Sequence, residues 1–225
     1  MEISVAEASG RMGLSTATVR RLAGSGALSA RKVAGTWLVA ESDVVSLAHL
    51  RRTPGRPVSA RSAWAVLDVL EGRLPAGLSR SELGRARQRA RAAGKLVPGE
   101  LAARARVLRL KGPPGAYRRV LEDRRLVRSG TSAARAAGFG ILAAGTVEGY
   151  VRPDDIDALM GSYRLQPAPA DAATVLLRVP VGRWPFADAE EAPAAVSAVD
   201  LLDAGDARSV REARRVLRQL ARQVG

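Results

Sequence analysis

The chain of 225 residues contains no cysteine. That excludes disulfide scaffolds, thiolate zinc and iron–sulfur sites, and cysteine nucleophiles. His49 is the only histidine, so a Ser-His-Asp triad would have one candidate base and multi-histidine metal sites are ruled out. Aromatic residues make up only 4%, so cores must be assembled mainly from Ala, Leu and Val. Lysine is scarce in a strongly basic chain: Lys32, Lys95 and Lys111 are the only three among 36 basic side chains, and the rest are arginine. No apolar run approaches the ~20 residues of a membrane span. Met1 to Ala8 does not read as a signal peptide. These absences predict a cytoplasmic protein with no metal, no cofactor and no membrane partner.

Against these absences stand a hydrophobic content of 47% and a formal net charge of +14. The first provides for real cores, and the length suits two or three small domains. The second points to a polyanion, most simply nucleic acid. Arginine suits bidentate contact with phosphates and base edges, although a GC-rich genome gives the same bias. The charge is segregated. Residues 1–57 hold 8 basic and 4 acidic side chains, residues 58–128 hold 17 and 6, and residues 129–225 hold 11 and 12. All the excess therefore lies in the first 128 residues, which predicts a nucleic-acid-facing half followed by a part with another task.

Punctuation divides the chain in the same places. Thr53-Pro54-Gly55-Arg56-Pro57 reads as a linker, because two prolines in five residues cannot continue a helix. Gly112-Pro113-Pro114-Gly115 and Pro167-Ala168-Pro169 are further breaks. The expected domains are 1–52, a linker at 53–57, a basic helical block at 58–128, and a small mixed α/β domain at 129–225. The fold class expected overall is α+β, mainly helical.

The N-terminal segment is the most informative. Ser4-Val5-Ala6-Glu7 has the form of a capping box opening a short helix. Met12-Gly13-Leu14 makes a turn, and Gly13 can take the positive φ it needs. Ser15 caps a second helix from Thr16 to about Gly24. Val19 and Leu22 point to the first helix, which leaves Ala17, Thr18, Arg20 and Arg21 outward. Ser29 to Val33 and Thr36 to Val39 form a hairpin with Gly35 near its tip and Arg31 and Lys32 on its first strand. Ser42 or Asp43 caps a third helix reaching about His49.

Helix, turn, basic helix, basic hairpin and helix is the order of a winged helix-turn-helix, whose second helix enters the major groove. Residues 3–50 resemble the excisionase and MerR-type winged helix-turn-helix family. The resemblance lies in Val5-Ala6-Glu7-Ala8, Gly13-Leu14-Ser15, Thr18-Val19-Arg20-Arg21-Leu22, Gly26-Ala27-Leu28 and Gly35-Thr36-Trp37-Leu38. The bland alternative is a helical hairpin with a solvated basic face. Arg51 and Arg52 precede Gly55-Arg56-Pro57, which has the form of the Gly-Arg-Pro core of an AT-hook, in which an extended arginine lies along a narrow minor groove. A plain linker is the simpler reading, and a basic arm on phosphates lies between the two. The DNA-contact residues expected are thus Ala17, Thr18, Arg20, Arg21, Arg31, Lys32, Arg51, Arg52 and Arg56, with a homodimer on the operator as the matching assembly.

Further along, Ala60 to Leu70 predicts a helix with Ala63, Trp64, Leu67 and Leu70 on one face. Ser79-Arg80-Ser81-Glu82 caps another, through about Ala93, rich in arginine. This block suits phosphate contact or domain bracing, without a base-reading motif. Thr146 to Val151 and Thr174 to Val179 predict strands. The carboxylates of Asp154, Asp155 and Asp157 fit a helix N-terminus rather than a metal site. Pro193 and Asp206 open the last two helices. The final one carries a core stripe of Val210, Ala213, Leu217, Leu220 and Val224 beside a basic stripe of Arg208, Arg211, Arg215, Arg218 and Arg222, with Glu212 expected to pair with Arg208.

The order of a winged helix, Ser129-Gly130-Thr131-Ser132-Ala133-Ala134, Gly149-Tyr150-Val151, Leu177-Arg178-Val179-Pro180 and Asp200-Leu201-Leu202-Asp203-Ala204-Gly205-Asp206-Ala207-Arg208 is similar to the actinobacterial AbiEi-type antitoxins of type IV toxin–antitoxin pairs. That resemblance spans most of residues 1–222. It implies an N-terminal domain that represses its own operon and a C-terminal domain that counters a nucleotidyltransferase toxin. Arg208, Arg211, Arg215 and Arg218 are then the candidate toxin-facing residues. The excisionase-like N-terminus departs from that family and leaves its usual DNA-contact positions unassigned. The alternative function is an excisionase-like recombination directionality factor or an architectural DNA binder, against which some 170 extra residues count. A nucleotidyltransferase enzyme would need Gly-Ser followed by an Asp-x-Asp pair on a strand. Gly161-Ser162 is present, but the Asp pair is not, so no catalytic residues are assigned.

Overall fold

A computed structural model describes residues 1–24, 26, 28–33, 35–51, 58–133 and 146–225, with the backbone alone at 46 and 48–51. Helices and strands mix throughout, so the chain is α+β. The first 51 residues run β1 (Glu2–Ser4), α1 (Val5–Met12), α2 (Thr16–Gly24), β2 (Ala30–Val33), β3 (Thr36–Ala40) and α3 (Glu41–Arg51). The three strands form an antiparallel sheet in the order β1-β3-β2. Strand β1 was not expected. Three residues with one apolar position, Ile3, carry too little signal, and the strand forms because β3 offers it a free edge.

Local chemistry explains most of these boundaries. Ser4 caps α1, its Oγ accepting from the Glu7 amide at 3.2 Å. The reciprocal half of the expected capping box is replaced. The Glu7 carboxylate instead pairs with Arg11 one turn on, at 2.7 Å. Gly13 ends α1 at φ 62, a left-handed conformation costly for other residues. Ser15 caps α2, accepting from the Thr18 amide at 3.2 Å. Val5, Ala8, Met12, Val19, Leu28, Val39 and Val44 close a small core of their own. Asp43 does not cap α3. It is buried within it, and its two oxygens accept from the Ser29 amide at 2.8 Å and the Ala170 amide at 2.9 Å. One carboxylate thus ties the base of the hairpin to the rest of the chain.

The remainder runs α4 (Ala60–Leu70), α5 (Arg80–Arg91), β4 (Ala105–Lys111), α6 (Ala116–Leu121), β5 (Val127–Arg128), β6 (Val147–Tyr150), α7 (Ile156–Tyr163), β7 (Gln166–Pro167), β8 (Val175–Pro180), α8 (Ala194–Ala204) and α9 (Ala207–Ala221). Five strands make a second sheet in the order β5-β6-β8-β4-β7, with β6 parallel to β8 and every other pair antiparallel. The division expected at Ser129 does not separate two cores. Strand β4 pairs with β8 along six residues, from Ala105 opposite Pro180 to Leu110 opposite Val175. One apolar cluster joins Trp64 and Leu67 of α4, Ala86 and Ala90 of α5, Leu201 and Leu202 of α8, and Ala213 and Leu217 of α9. Residues 58–128 are therefore not a separate helical block, because they contribute β4 to the sheet, between β8 and β7 of the C-terminal part. The expected linker at 53–57 lies outside the described residues.

Register sorts the sheet into two faces. Leu108, Leu110, Val175, Leu177 and Val147 face α6 and α7, where Val120 and Leu159 complete a second cluster. Val107, Arg109, Leu176, Arg178, Glu148 and Tyr150 share the opposite face. The few aromatics are concentrated beside that face. Tyr150 and Phe186 lie 4.7 Å apart between centroids, and Trp64 is 5.9 Å from Phe186. Such tilted pairs add about 0.5–1.5 kcal/mol each beyond their buried area.

Candidate nucleic-acid interface

The face of α2 turned from its core is built by spacing. Val19 and Ala23 are buried against α1 and the small sheet, which sends Ala17, Arg20 and Arg21 into solvent. Thr18 is half-buried. Its hydroxyl lies 2.9 Å from Ser15 Oγ, so it completes the cap and is not directed outward.

The ion pairs of this unit are selective. Arg11 is held by Glu7 and Glu41. Arg31 on β2 is held by Glu2 on β1, its Nη2 lying 2.7 Å from Oε2 and its Nε 2.9 Å from Oε1. Those bonds raise the Arg31 pKa and lower that of Glu2, chiefly through the hydrogen bond between them. Among the described residues, Arg20, Arg21 and Lys32 make no ion pair. Lys32 stands on the exposed hairpin beside Val33, which is 40% exposed. The arrangement presents two unpaired guanidiniums on a helix and one ammonium on the adjacent hairpin. Of the other expected contacts, the Arg51 side chain, Arg52 and Arg56 fall outside the described residues.

A second basic surface lies on α5. Ser79 and Glu82 form a full capping box, Ser79 Oγ accepting from the Glu82 amide and Glu82 Oε2 from the Ser79 amide at 2.8 Å. Ala86 and Ala90 bury one side, leaving Arg80, Arg85, Arg87 and Arg91 exposed and, among the described residues, without an ion pair. Other arginines of this region are neutralised: Arg73 by Asp68, Arg89 by Glu100, Arg125 by Asp123, and Arg128 by Glu190 and Glu191.

The basic stripe of α9 is less open than expected. Glu212 pairs with Arg215, three residues on, at 2.5 Å. The aliphatic stem of Arg218 packs on Gly94, where any side chain would overlap it. Arg208 and Arg211 are exposed. The Asp154, Asp155 and Asp157 carboxylates make no capping hydrogen bond at their helix starts. Among the described residues no acidic cluster is arranged to hold a metal ion, and no helix is long and apolar enough to cross a membrane.

The charged interior of the second sheet was missed by the sequence reading. Asp200 of α8 has no exposure. Arg104 Nη2 donates to it, Tyr150 donates its hydroxyl at 3.0 Å, Ser129 donates its hydroxyl, and Arg178 Nε lies 3.1 Å away. Arg104 also reaches Asp203 at 2.8 Å, and Arg178 Nη1 lies 3.1 Å from Glu148 Oε2. Burial opposes the charge on Asp200, but Arg178 and Arg104 outweigh it and hold the pKa low. Glu148 differs: burial dominates and pushes its pKa up, with Asp200 adding to that and Arg178 opposing it. Burial likewise pushes the Tyr150 phenol up, so it remains a donor. The network clamps β6, β8 and α8 together. A trace of it was present in the sequence, since Arg178 and Asp200 each interrupt an apolar run.

The chain matches no protein-family model, no curated protein and no solved structure.

Proposed function

We propose that this protein is a sequence-specific binder of duplex DNA, acting as a transcriptional repressor through a winged helix-turn-helix formed by residues 1–51. The observation that carries the reading is the selective neutralisation of arginines. Arg11 and Arg31 are locked to glutamates, whereas Arg20 and Arg21 of α2 stand exposed and, among the described residues, without an ion pair. An α-helix fits the major groove of B-DNA, where a guanidinium can bond guanine O6 and N7 together. In this arrangement α2 is the reading helix, and Lys32 touches phosphate from the hairpin. The free arginines of α5 add sequence-independent attraction. A solvated basic face would give no reason for carboxylates to be placed only on the arginines away from α2.

The reading extends to the antitoxin of a nucleotidyltransferase toxin, with autoregulation of the operon. That part rests on the resemblance of the short motifs named above to AbiEi-type antitoxins, and α9 with Arg208 and Arg211 is its candidate contact. Selection of duplexes from a random pool by the full chain should enrich one motif. A reporter behind a promoter carrying that motif should be repressed, and repression should be lost with Arg20→Ala plus Arg21→Ala. Selection that enriches no motif would remove the repressor reading. Co-expression with the toxin should show growth rescue that Arg208→Gln plus Arg211→Gln weakens, and rescue by neither protein would remove the antitoxin reading.

A further inference from the structure

We infer that the cleft between α3 and the polar face of the second sheet is a binding site for a small organic monoanion, a carboxylate carried on an apolar body. A cavity of about 400 Å³ opens there. That volume lies within the roughly 300–1,000 Å³ of small-molecule sites. Its floor is Ala105, Val107 and Leu176 from β4 and β8, its roof is Val45 of α3, and Arg109 and Arg178 enter from the sheet. Val45 is 57% exposed and Val107 39%, so apolar surface on both walls is left without a protein partner.

The polar groups define the ligand. Arg178 is committed to Asp200 and Glu148 in the interior. Arg109 is not committed. It is half-buried, and among the described residues its side chain has no hydrogen bond and no ion pair. Burial pushes its pKa down, a charge on Asp43 opposes that, and Arg178 adds to the fall. A partly desolvated guanidinium without a direct partner gains most from a carboxylate, which it can engage through two parallel hydrogen bonds. Asp203 and Arg104, which also line the cavity, neutralise each other, and Arg178 is committed to the interior, so among the described residues Arg109 is the one uncommitted charge of the lining, partly offset by Asp43, and it matches a single negative charge. The site therefore favours a monoanion over phosphate. The apolar floor and roof favour an aromatic or branched aliphatic body over acetate.

The occupant would lie between two parts of the fold. Asp43, two residues before Val45, already joins the N-terminal unit to Ala170. A ligand under Val45 would add to that joint and raise the stability of the whole chain by mass action. The inference concerns ligand binding alone and does not rest on the DNA-binding reading.

The test is titration of the full chain, followed by ligand-observed NMR and calorimetry. The probes are phenylacetate, its neutral analogue phenylacetamide, and inorganic phosphate. Phenylacetate should bind saturably, phenylacetamide about 10-fold more weakly, and phosphate more weakly still. Arg109→Gln should cost phenylacetate about 10-fold and leave phenylacetamide unchanged. Val107→Trp, at an exposed position, should fill the cleft and abolish binding of both without altering the melting temperature of the free protein. Absence of saturation by phenylacetate up to about 10 mM would overturn the inference. So would equal affinity for acid and amide, or phenylacetate binding that survives Val107→Trp.

Discussion

Replacement of Asp200 by Asn tests the interior of the protein most severely. Asn has nearly the same size, and its single carbonyl oxygen can keep the Tyr150 bond at Oδ1, while its amide nitrogen would stand where Oδ2 accepts from Ser129. Asn cannot supply the charge that Arg104 and Arg178 share at Asp200. Without it, two buried guanidiniums would face only Asp203 and Glu148, and burial already disfavours the charge on Glu148. Removing one partner of a buried ion pair costs about 3–5 kcal/mol. Total stabilities are about 5–15 kcal/mol, so the loss is a large fraction of the whole. At about 2–4 °C per kcal/mol for a chain of this size, the melting temperature should fall by roughly 6–20 °C. Urea unfolding of the full chain measures the free energy, and calorimetry the temperature. Asp203→Asn is the control: Asp203 is 13% exposed and, among the described residues, its one ion pair is with Arg104, its other oxygen accepting from the Gly99 amide, so its loss should be smaller. The gap between wild type and Asp200→Asn should also close in acid. A carboxylate whose pKa is held low stabilises above its ordinary range, and wild type loses that contribution as pH falls through the lowered value. An Asp200→Asn protein within about 1 kcal/mol of wild type at neutral pH would refute the network as described.

Asp123 should contribute to the acid limb of stability, because its hydrogen bond with Arg125, against some burial and with help from Tyr163, lowers its pKa to about 2. Its contribution is present above the usual aspartate range and lost as pH falls toward 2, so Asp123→Asn should flatten that limb when unfolding is followed from neutral pH to about pH 2. Gly130 sits at φ 54 with the Glu148 carboxylate where a Cβ would be. Gly130→Ala should therefore cost about 2 kcal/mol or more in urea unfolding, and a neutral substitution would contradict the placement of Glu148. Deleting residues 129–225 should prevent folding of residues 58–128, since β4 would lose β8 and α4 would lose α8. Circular dichroism of the truncated protein should show loss of cooperative unfolding.

The parts of the fold that were legible in the sequence are those set by neighbours in the chain. Ser4, Ser15, Ser79 and Asp206 mark helix starts through side-chain oxygens that cap amides two or three residues on. The spacing of Val19 and Leu22 likewise turned Arg20 and Arg21 outward. Strand β4 was hidden by its own composition. Arg106, Arg109 and Lys111 read as a continuation of the basic helices, and the alternation of Val107 and Arg109 with Leu108 and Leu110 becomes visible only beside β8. The ion network was hidden for another reason. Arg104, Glu148, Arg178 and Asp200 come from four separate elements, and only the sheet register brings them together. The same long-range pairing erased the boundary expected at Ser129, where a change in charge does not coincide with a change of core. In the candidate interface, the pairing of Arg31 with Glu2 was not legible, because Glu2 belongs to a strand too short to announce itself.

The most direct test of the DNA-binding account is paired titration of a selected duplex and a random duplex with wild type, Arg20→Ala and Arg21→Ala, repeated across salt concentrations. If the two arginines read bases, each substitution should cost about 1–3 kcal/mol on the selected duplex and little on the random one. If both touch only phosphate, affinity for the two duplexes should fall alike, and the double variant should lower the slope of log K against log salt by about 1.8. The account predicts the first pattern, with Lys32→Ala following the second. Wild type binding selected and random duplexes equally, or variants weakening both to the same extent, would contradict it.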